Sequence, residues 1–566
     1  MTTALSPAYR TETLDAIDDG SFDVIVVGGG ITGVGCALDA ATRGLSVALV
    51  EQRDISSGTS SRSSKLFHGG LRYLEQLDFG LVKEALHERE LIRQTLAPHL
   101  VWPVPFVYPL QHRVWERAYV GAGITLYDTM AKLGGSTLPH QWHLSRKELT
   151  RVFPGIKRDA FVGGIRYFDA GCDDARYALA VARTAASHGA RILTSGRVTG
   201  FLHEGDRVTG ITATCLETGR SLEARAKVVI NATGVWTDRT EALVGDERRD
   251  VTASKGIHIV VPRARIDSEV GFITRTPTSV LFLIPHRDFW HIGTTDTPWE
   301  LGPAHPAASR ADIDYVLEQA NKVLADPLTR DDVVGVYAGL RPLVRGDAES
   351  TAKLSREHAI RSPAPGLVTI VGGKYTTYRV MAEDTIDRAF ESIEEPVGPS
   401  VTSEVPLVGA DGYEELRSRV DPLAEESGLE PSEVERLLRR YGSDIQVIFD
   451  LMESDPSLRE RLPSGVYLRA EVVFAVEHEA ALHLDDVLTR RTRLSIESRD
   501  RGTKAAPVVA ELMARSLGWD EESIARELAH YDARVAAERE SQTKDDDHTA
   551  DAARMGAPDI RTLGNV

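Results

Sequence analysis

The chain is 566 residues long, with 42% hydrophobic and 27% charged residues and a formal net charge of −18. That length predicts roughly three or four domain-sized units, and the acidic excess excludes nucleic acid as a bulk electrostatic partner. Three scattered cysteines, Cys36, Cys172 and Cys215, exclude a disulfide framework and a cysteine-held metal or iron–sulfur cluster, and predict a reducing compartment.

The opening residues are polar and acidic, without the apolar core of a secretory signal. No apolar run approaches the roughly 18 residues of a spanning helix, so membrane contact is expected to be peripheral, through a local basic patch.

The run FDVIVV (Phe22–Val27) is continuous and β-branched, as a buried parallel strand requires. A small-residue helix follows and stops at Gly44, and SVALVE (Ser46–Glu51) is a second strand ending in a carboxylate. The unit is βαβ, with G-x-G-x-x-G at Gly28, Gly30 and Gly33. Gly28 permits the turn, Gly30 lets backbone approach a pyrophosphate, and Gly33 lets helix and strand pack closely. The helix start at Ile31 and Thr32 offers N–H groups to phosphates, and Glu51 accepts from a ribose. A dinucleotide is expected; this motif leaves NAD and FAD both open.

TSSRSSKLFHGGLRYLE (Thr59–Glu75) interleaves small residues with Lys65, His68, Arg72 and Tyr73. Small residues admit a flat ring, and cations with a phenol receive an anion; read alone, the segment is better taken as a polar surface loop with chance basic residues. PVPFVYPLQH is expected at a sheet edge because of its prolines. His112–Gly135 places Arg113 and Arg117 beside Trp115, Tyr119, Ile124, Leu126 and Tyr127. It reads either as an interfacial helix or as a helix packed inside a substrate domain, and Glu116 and Asp128 weigh against a lipid-facing role. His140 and His143 lack a third ligand and are read as a solvated pair, so no metal is expected.

AKVVINATGVWTD carries a buried strand from Val228 to Ala232 into Thr233 and Gly234. HIVVPRARI, SVLFLIP and FWHIGTTD alternate as strands of an antiparallel sheet. GLVTIVGGKYTTYRVMAEDTIDRAF repeats the opening logic: a strand from Leu367 to Val371, then Gly372-Gly373, then a helix whose N-terminus is a positive dipole end. Two such junctions favour a whole FAD fold over a bare NAD unit. Beyond Glu394–Val401 the chain turns to charged helices, and the polar tail from Ser541 is expected to be disordered.

These segments, together with YFDAGCDDARY, KGIHIVV, IGTTDT and YAGLRPL, resemble in family order the FAD-dependent glycerol-3-phosphate dehydrogenases, within the flavoprotein amine-oxidase-like superfamily. The resemblance implies an α/β fold with a Rossmann-like FAD-binding domain of the glutathione-reductase/amino-acid-oxidase type, an antiparallel-sheet substrate domain and a C-terminal helical domain. Expected bounds are 20–100, 165–250 and 335–395 for the FAD domain, 101–164 and 251–334 for the substrate domain, 396–540 for the helical domain and 541–566 for the tail.

By the same resemblance Ser64, Lys65, Gly69 and Gly70 face the flavin, and Val198, Ala232, Thr233 and Gly234 the adenosine half. Gly373, Lys374, Thr376 and Thr377 take the ring edge, where a helix N-terminus stabilises negative charge on reduced flavin. Substrate phosphate falls to Arg72, Tyr73, Arg341, Arg356 and Lys374, arginine's planar fork suiting a dianion.

The implied reaction oxidises sn-glycerol 3-phosphate to dihydroxyacetone phosphate, with hydride passing from C2 to flavin N5. Arg341 polarises the C2 oxygen; an arginine stays protonated, so a literal base role is awkward. His258 has the better ordinary pKa for a base, although a strand histidine is more often a core residue. The expected acceptor is a membrane quinone, and the expected location is cytoplasmic, peripheral to the inner face of the cell membrane; a homodimer is compatible with this. The competing readings are an oxygen-using glycerol-3-phosphate oxidase, an amine or amino-acid oxidase, and a non-catalytic flavin-binding protein.

Overall fold

The computed structural model describes residues 3–71, 78–246, 248–277, 279–345, 358–391, 393 and 396–562. The expected βαβ unit forms: strand Gly20–Val27, helix Ile31–Thr42 and strand Val47–Val50. Gly20–Val27 pairs in parallel with Val47–Val50 on one side and Ser221–Asn231 on the other. Leu367–Gly372 and Arg191–Leu193 extend this parallel core outward. Val24, Ile25 and Val26 are fully buried, because helices and a hairpin cover both faces and leave no place for polar alternation. The register sets Val27 beside Asn231 and Asn231 beside Thr369. Three strands therefore end at one edge, where Gly28, Ala232 and Gly372 turn out of the sheet, the position at which open α/β sheets bind ligands.

The second sheet has ten strands, with Val251–Pro262 paired along Gly335–Val344 from Val251 to Val260. It is antiparallel except where Gly271–Arg275 meets Val101–Leu110. Its domain bounds differ from the expected ones: Leu66–Phe67, Gly163–Cys172 and Gly335–Val344 were assigned to the FAD segment but run in this sheet. Each strand leaves the flavin-type domain and crosses directly into its neighbour, so the chain passes between layers without a linker for sequence to mark. The proline-rich strand Val101–Leu110 is interior rather than at an edge. Pro103, Pro105 and Pro109 share parity, so their missing donors fall on one side. On that side Gly271–Arg275 pairs only at Phe106 and Val107.

Alternation along Val251–Pro262 divides its duties. Ile257, Ile259 and Val261 pack under helix Arg310–Asn321 with Trp290, Val316 and Leu317, while Gly256 and His258 face the large cavity described below.

The C-terminal residues form a helical domain with its own apolar core, fastened to the flavin-type domain by buried charge. Asp54 is fully buried and accepts from Arg490 Nε at 2.5 Å and from Arg491 Nη1 and Nη2 at 2.6 and 2.7 Å. Arg493 reaches Asp173 and Asp174 at 2.5 and 2.7 Å, and Lys65 shares Asp174 at 2.7 Å. Removing one member of such a pair strands an opposite charge in a dry interior, at a cost of about 3–5 kcal/mol.

The expected disordered tail is a correction. Asp546 caps helix Asp547–Met555 through its bond from Thr549 N, and Ala550, Arg554, Asp559 and Arg561 are buried. Arg561 donates to Ser195 Oγ at 2.6 Å and to Asp486 at 2.8 Å. Polar composition signals disorder only when the charges lack partners; here the partners lie on other domains.

Candidate functional site

A cavity of about 720 Å³ runs from the glycine edge of the first sheet to the underside of the second. At one end are Gly28, Gly30, Ile31, Thr32, Glu51, Val198, Ala232, Thr233 and Gly234; at the other are Ser64, His258, Arg341, Gly373 and Lys374. The volume lies in the range of small-molecule sites.

The glycine edge has the shape of a cradle for a pyrophosphate. Gly28 has φ +110°, and a Cβ there would lie 2.7 Å from the Ala232 carbonyl oxygen. Gly33 sits behind the wall: its Cβ would meet Gly28 O at 1.9 Å, so it sets the approach of helix to strand. Gly30 caps the helix without a side chain of its own; the Ile31 N–H donates to Ser60 Oγ at 2.9 Å, and the helix start meets the cavity at Thr32 as well. Glu51 accepts from Gly29 N at 2.6 Å and Arg53 N at 2.7 Å. Burial raises its pKa above the usual carboxylate value against those two bonds. A long cavity, a helix start flanked only by glycine and a small serine, and a fixed carboxylate fit a dinucleotide.

Other expected cofactor residues lie off the wall. Lys65 is almost fully buried and turned to Asp174 and Ser61 O; burial lowers its pKa, with Arg493 adding to the effect. Gly69 donates its N–H to Tyr127 Oη at 2.8 Å and packs on Leu86, and neither it nor Gly70 lines the cavity. Thr376 accepts from His68 N at 3.2 Å and is buried like Thr377. The wall there is made by His68, Gly372, Gly373, Lys374 and Tyr375. The small and basic residues were placed in the right segments, but alternate ones point into the protein. Arg72, Tyr73 and Arg356 lie outside the described residues.

Arg341 is held from one side. Its guanidinium donates to Thr294 Oγ1 at 3.0 Å and to Thr295 O at 3.2 Å, with Asp296 at 3.8 Å. The neighbouring strand offers Gly256, where any Cβ would sit 2.5 Å from Arg341 Nη2. His258 is 2% exposed, stacks on Tyr337 at 4.9 Å between centroids and lies 3.0 Å from Ser64 Oγ through Nε2. Burial first, then Arg341 and Lys65, depress its pKa to about 3. The imidazole is therefore neutral at working pH and a poor proton acceptor.

His99 and His286 are likewise driven down to about 3 by burial. An unfolded chain protonates these three imidazoles near pH 6.5 while the folded one does not. Stability is thus full above pH 6.5 and falls as pH drops toward 3, by about 1.4 kcal/mol per pH unit for each group. The urea midpoint is expected to be lower at pH 5.5 than at 7.5; equal midpoints would contradict the neutral burial of these rings.

Residues that sequence reasoning did not find also form the wall: Arg53, Trp236, Arg239, His305, Met555 and Asp559. The Arg53 guanidinium lies 5.6 Å from the Trp236 ring centroid. Trp236 lies in the segment AKVVINATGVWTD, and Arg53 follows Glu51 by two residues. Met555 and Asp559 had no local signal.

The FAD dependent oxidoreductase family model matches residues 23–379, and that of the C-terminal domain of alpha-glycerophosphate oxidase matches residues 400–524. The chain is 54% identical to glycerol-3-phosphate dehydrogenase 2 of Mycobacterium tuberculosis, covering 99% of this chain and 95% of that one. It is 37% identical to the human mitochondrial glycerol-3-phosphate dehydrogenase, over 91% of this chain and 73% of the other. The solved Bacillus halodurans glycerol-3-phosphate dehydrogenase, complexed with FAD, superposes with a TM-score of 0.78 at 28% identity, covering 94% of this chain and 97% of that one.

Proposed function

We propose, from the premise that this chain belongs to the FAD-dependent glycerol-3-phosphate dehydrogenase family, that it oxidises sn-glycerol 3-phosphate to dihydroxyacetone phosphate and delivers the electrons to a membrane quinone. The observation that carries the reading is the single cavity joining a dinucleotide cradle at Gly28–Thr32 to a cationic end at Arg341 and Lys374. Bound FAD supplies the acceptor for the hydrogen and electron pair that leave C2.

The protein's own groups do the rest. Gly28, Gly30, Ile31, Thr32, Glu51, Val198, Ala232, Thr233, Gly234 and Gly373 hold the cofactor from the wall. Lys374, with Arg72, Tyr73 and Arg356 assigned by resemblance, binds the phosphate dianion, where several fixed cations outweigh one. Arg341 donates to the C2 oxygen and stabilises the negative charge that develops there as the hydroxyl proton passes to solvent water. His258 positions Ser64 and keeps a neutral, dry face on the cavity.

A peripheral membrane location on the cytoplasmic face is supported by helix Trp115–Leu133. Trp115, Tyr119, Leu126 and Leu133 are 63%, 60%, 41% and 85% exposed along one stripe, whereas Ile124 and Tyr127 on the opposite side are buried. Exposed Arg113 precedes the stripe, whereas Arg117 turns inward to Leu144 O; an exposed aromatic and aliphatic stripe next to a basic residue is the pattern of a helix lying in a headgroup layer. Among the described residues no helix is long and apolar enough to cross a membrane.

Anaerobic mixing tests the substrate reading: the yellow FAD of the purified protein is expected to bleach with glycerol 3-phosphate and to stay oxidised with glycerol, lactate or proline. Bleaching by an amino acid instead would move the chain to an amine-oxidising role, and no bleaching at all would leave a passive flavin binder. Hydrogen peroxide formed in air in step with substrate loss would replace quinone by oxygen.

A further inference from the structure

A second, smaller cavity of about 110 Å³ lies where helices Glu521–Ser541 and Asp547–Met555 meet Ser61-Arg62 and the second sheet. Six arginines line it against two carboxylates, Asp485 and Glu538. Arg490 and Arg493 are already neutralised by Asp54, Asp486, Asp173 and Asp174. Four cations remain: Arg62, Arg501, Arg534 and Arg554.

Their charge is not matched. Arg534 approaches Asp485 and Arg501 approaches Glu538 only at 3.5 Å each, and Asp485 is also shared with Arg490 at 3.1 Å. Arg554 is 7% exposed, its Nη1 meets no acceptor, and among the described residues it has no ion-pair partner. Arg534 Nε, Arg501 Nε and both ring nitrogens of His305 are buried without a hydrogen bond. Arg62 is half-buried and lines both this cavity and the large one. Burial lowers its pKa to about 9, with Arg53, Arg554, Arg534 and Arg490 pushing the same way; burial, then Arg534, lower that of Arg554 to about 10 against the pull of Glu538 and Asp485. Clustered donors of one sign, buried without acceptors, are costly unless something negative joins them. A cavity needs only about 10–15 Å³ by the same measure to hold one water, so this one has room for a small polyatomic anion.

We propose that the cavity is a binding site for a small tetrahedral oxyanion of the phosphate or sulfate class, held by Arg554, Arg534 and Arg62 and separate from the substrate end of the large cavity. Three oxygens of such an ion accept from three guanidinium groups, and His305 donates to a fourth. The ion ties the last two helices to Arg62, and through Arg62 to the wall of the large cavity.

The test is equilibrium dialysis of the holoenzyme against radiolabelled orthophosphate at constant ionic strength, with dihydroxyacetone phosphate saturating the substrate end. One equivalent of phosphate is expected to remain bound and to be displaced by sulfate but not by chloride. Arg554→Gln is expected to weaken binding about tenfold, the usual consequence of losing one charge-assisted bond. Glu538→Gln removes a carboxylate that repels the ion and is expected to tighten binding, an effect that misfolding cannot imitate. No retained phosphate, or an affinity unmoved by Glu538→Gln, overturns the site.

Discussion

Arg341→Ala is expected to lower kcat/KM for glycerol 3-phosphate by about 10²–10³-fold while FAD stays bound, the range seen when one preorganised donor to a developing oxyanion is removed. The expectation rests on how the side chain is held. Thr294 and Thr295 bond the guanidinium, and Gly256 leaves room for it beside Thr294, so the charge stands in place before substrate arrives. His258 is a poor substitute, because burial, the largest cause of its depressed pKa, persists in the variant together with Lys65. Arg341→Lys keeps the charge but not the fork and is expected to recover only part of the loss. Steady-state kinetics with a flavin absorbance spectrum check this; a loss under about tenfold with full FAD would remove Arg341 from the reacting end.

Gly33→Ala is expected to yield protein without its yellow chromophore. The new methyl would stand 1.9 Å from Gly28 O and 3.0 Å from Gly28 C, both backbone atoms that cannot rotate aside. Helix Ile31–Thr42 must then back away from strand Gly20–Val27 at the turn that forms the cradle, an overpacking cost of about 1–3 kcal/mol. Gly30→Ala is the contrast. Its methyl meets only Ser60 Oγ at 3.4 Å, so the apoprotein is expected to unfold at an unchanged midpoint while FAD affinity falls. Flavin content after gel filtration and thermal midpoints of both apoproteins distinguish the two. A fully yellow Gly33→Ala protein would show that close packing at that turn is dispensable.

The first βαβ unit was legible because its signals are local: β-branched runs, glycines where a Cβ collides, an acid at the next strand end. Arg341, His258 and Lys374 were legible only by resemblance, since each sits in a short strand or turn whose composition says nothing about what lies opposite. Lys65 and Thr376 show the limit of segment reasoning. Their segments reach the cavity, but these side chains point to Asp174 and His68, and facing within a glycine-rich loop has no period to read. The tail was misread for another reason. Its helix is polar, and what orders the tail is a set of partners far upstream in the chain, such as Ser195, Asp486 and Lys255.

The large cavity takes its first wall from Gly28 and its last from Met555, Pro558 and Asp559. The glycine turn is therefore made from local sequence long before these closing residues are synthesised. A chain still lacking them presents an open trough, so enclosure of the cofactor waits on helix Asp547–Met555 folding back across the glycine edge.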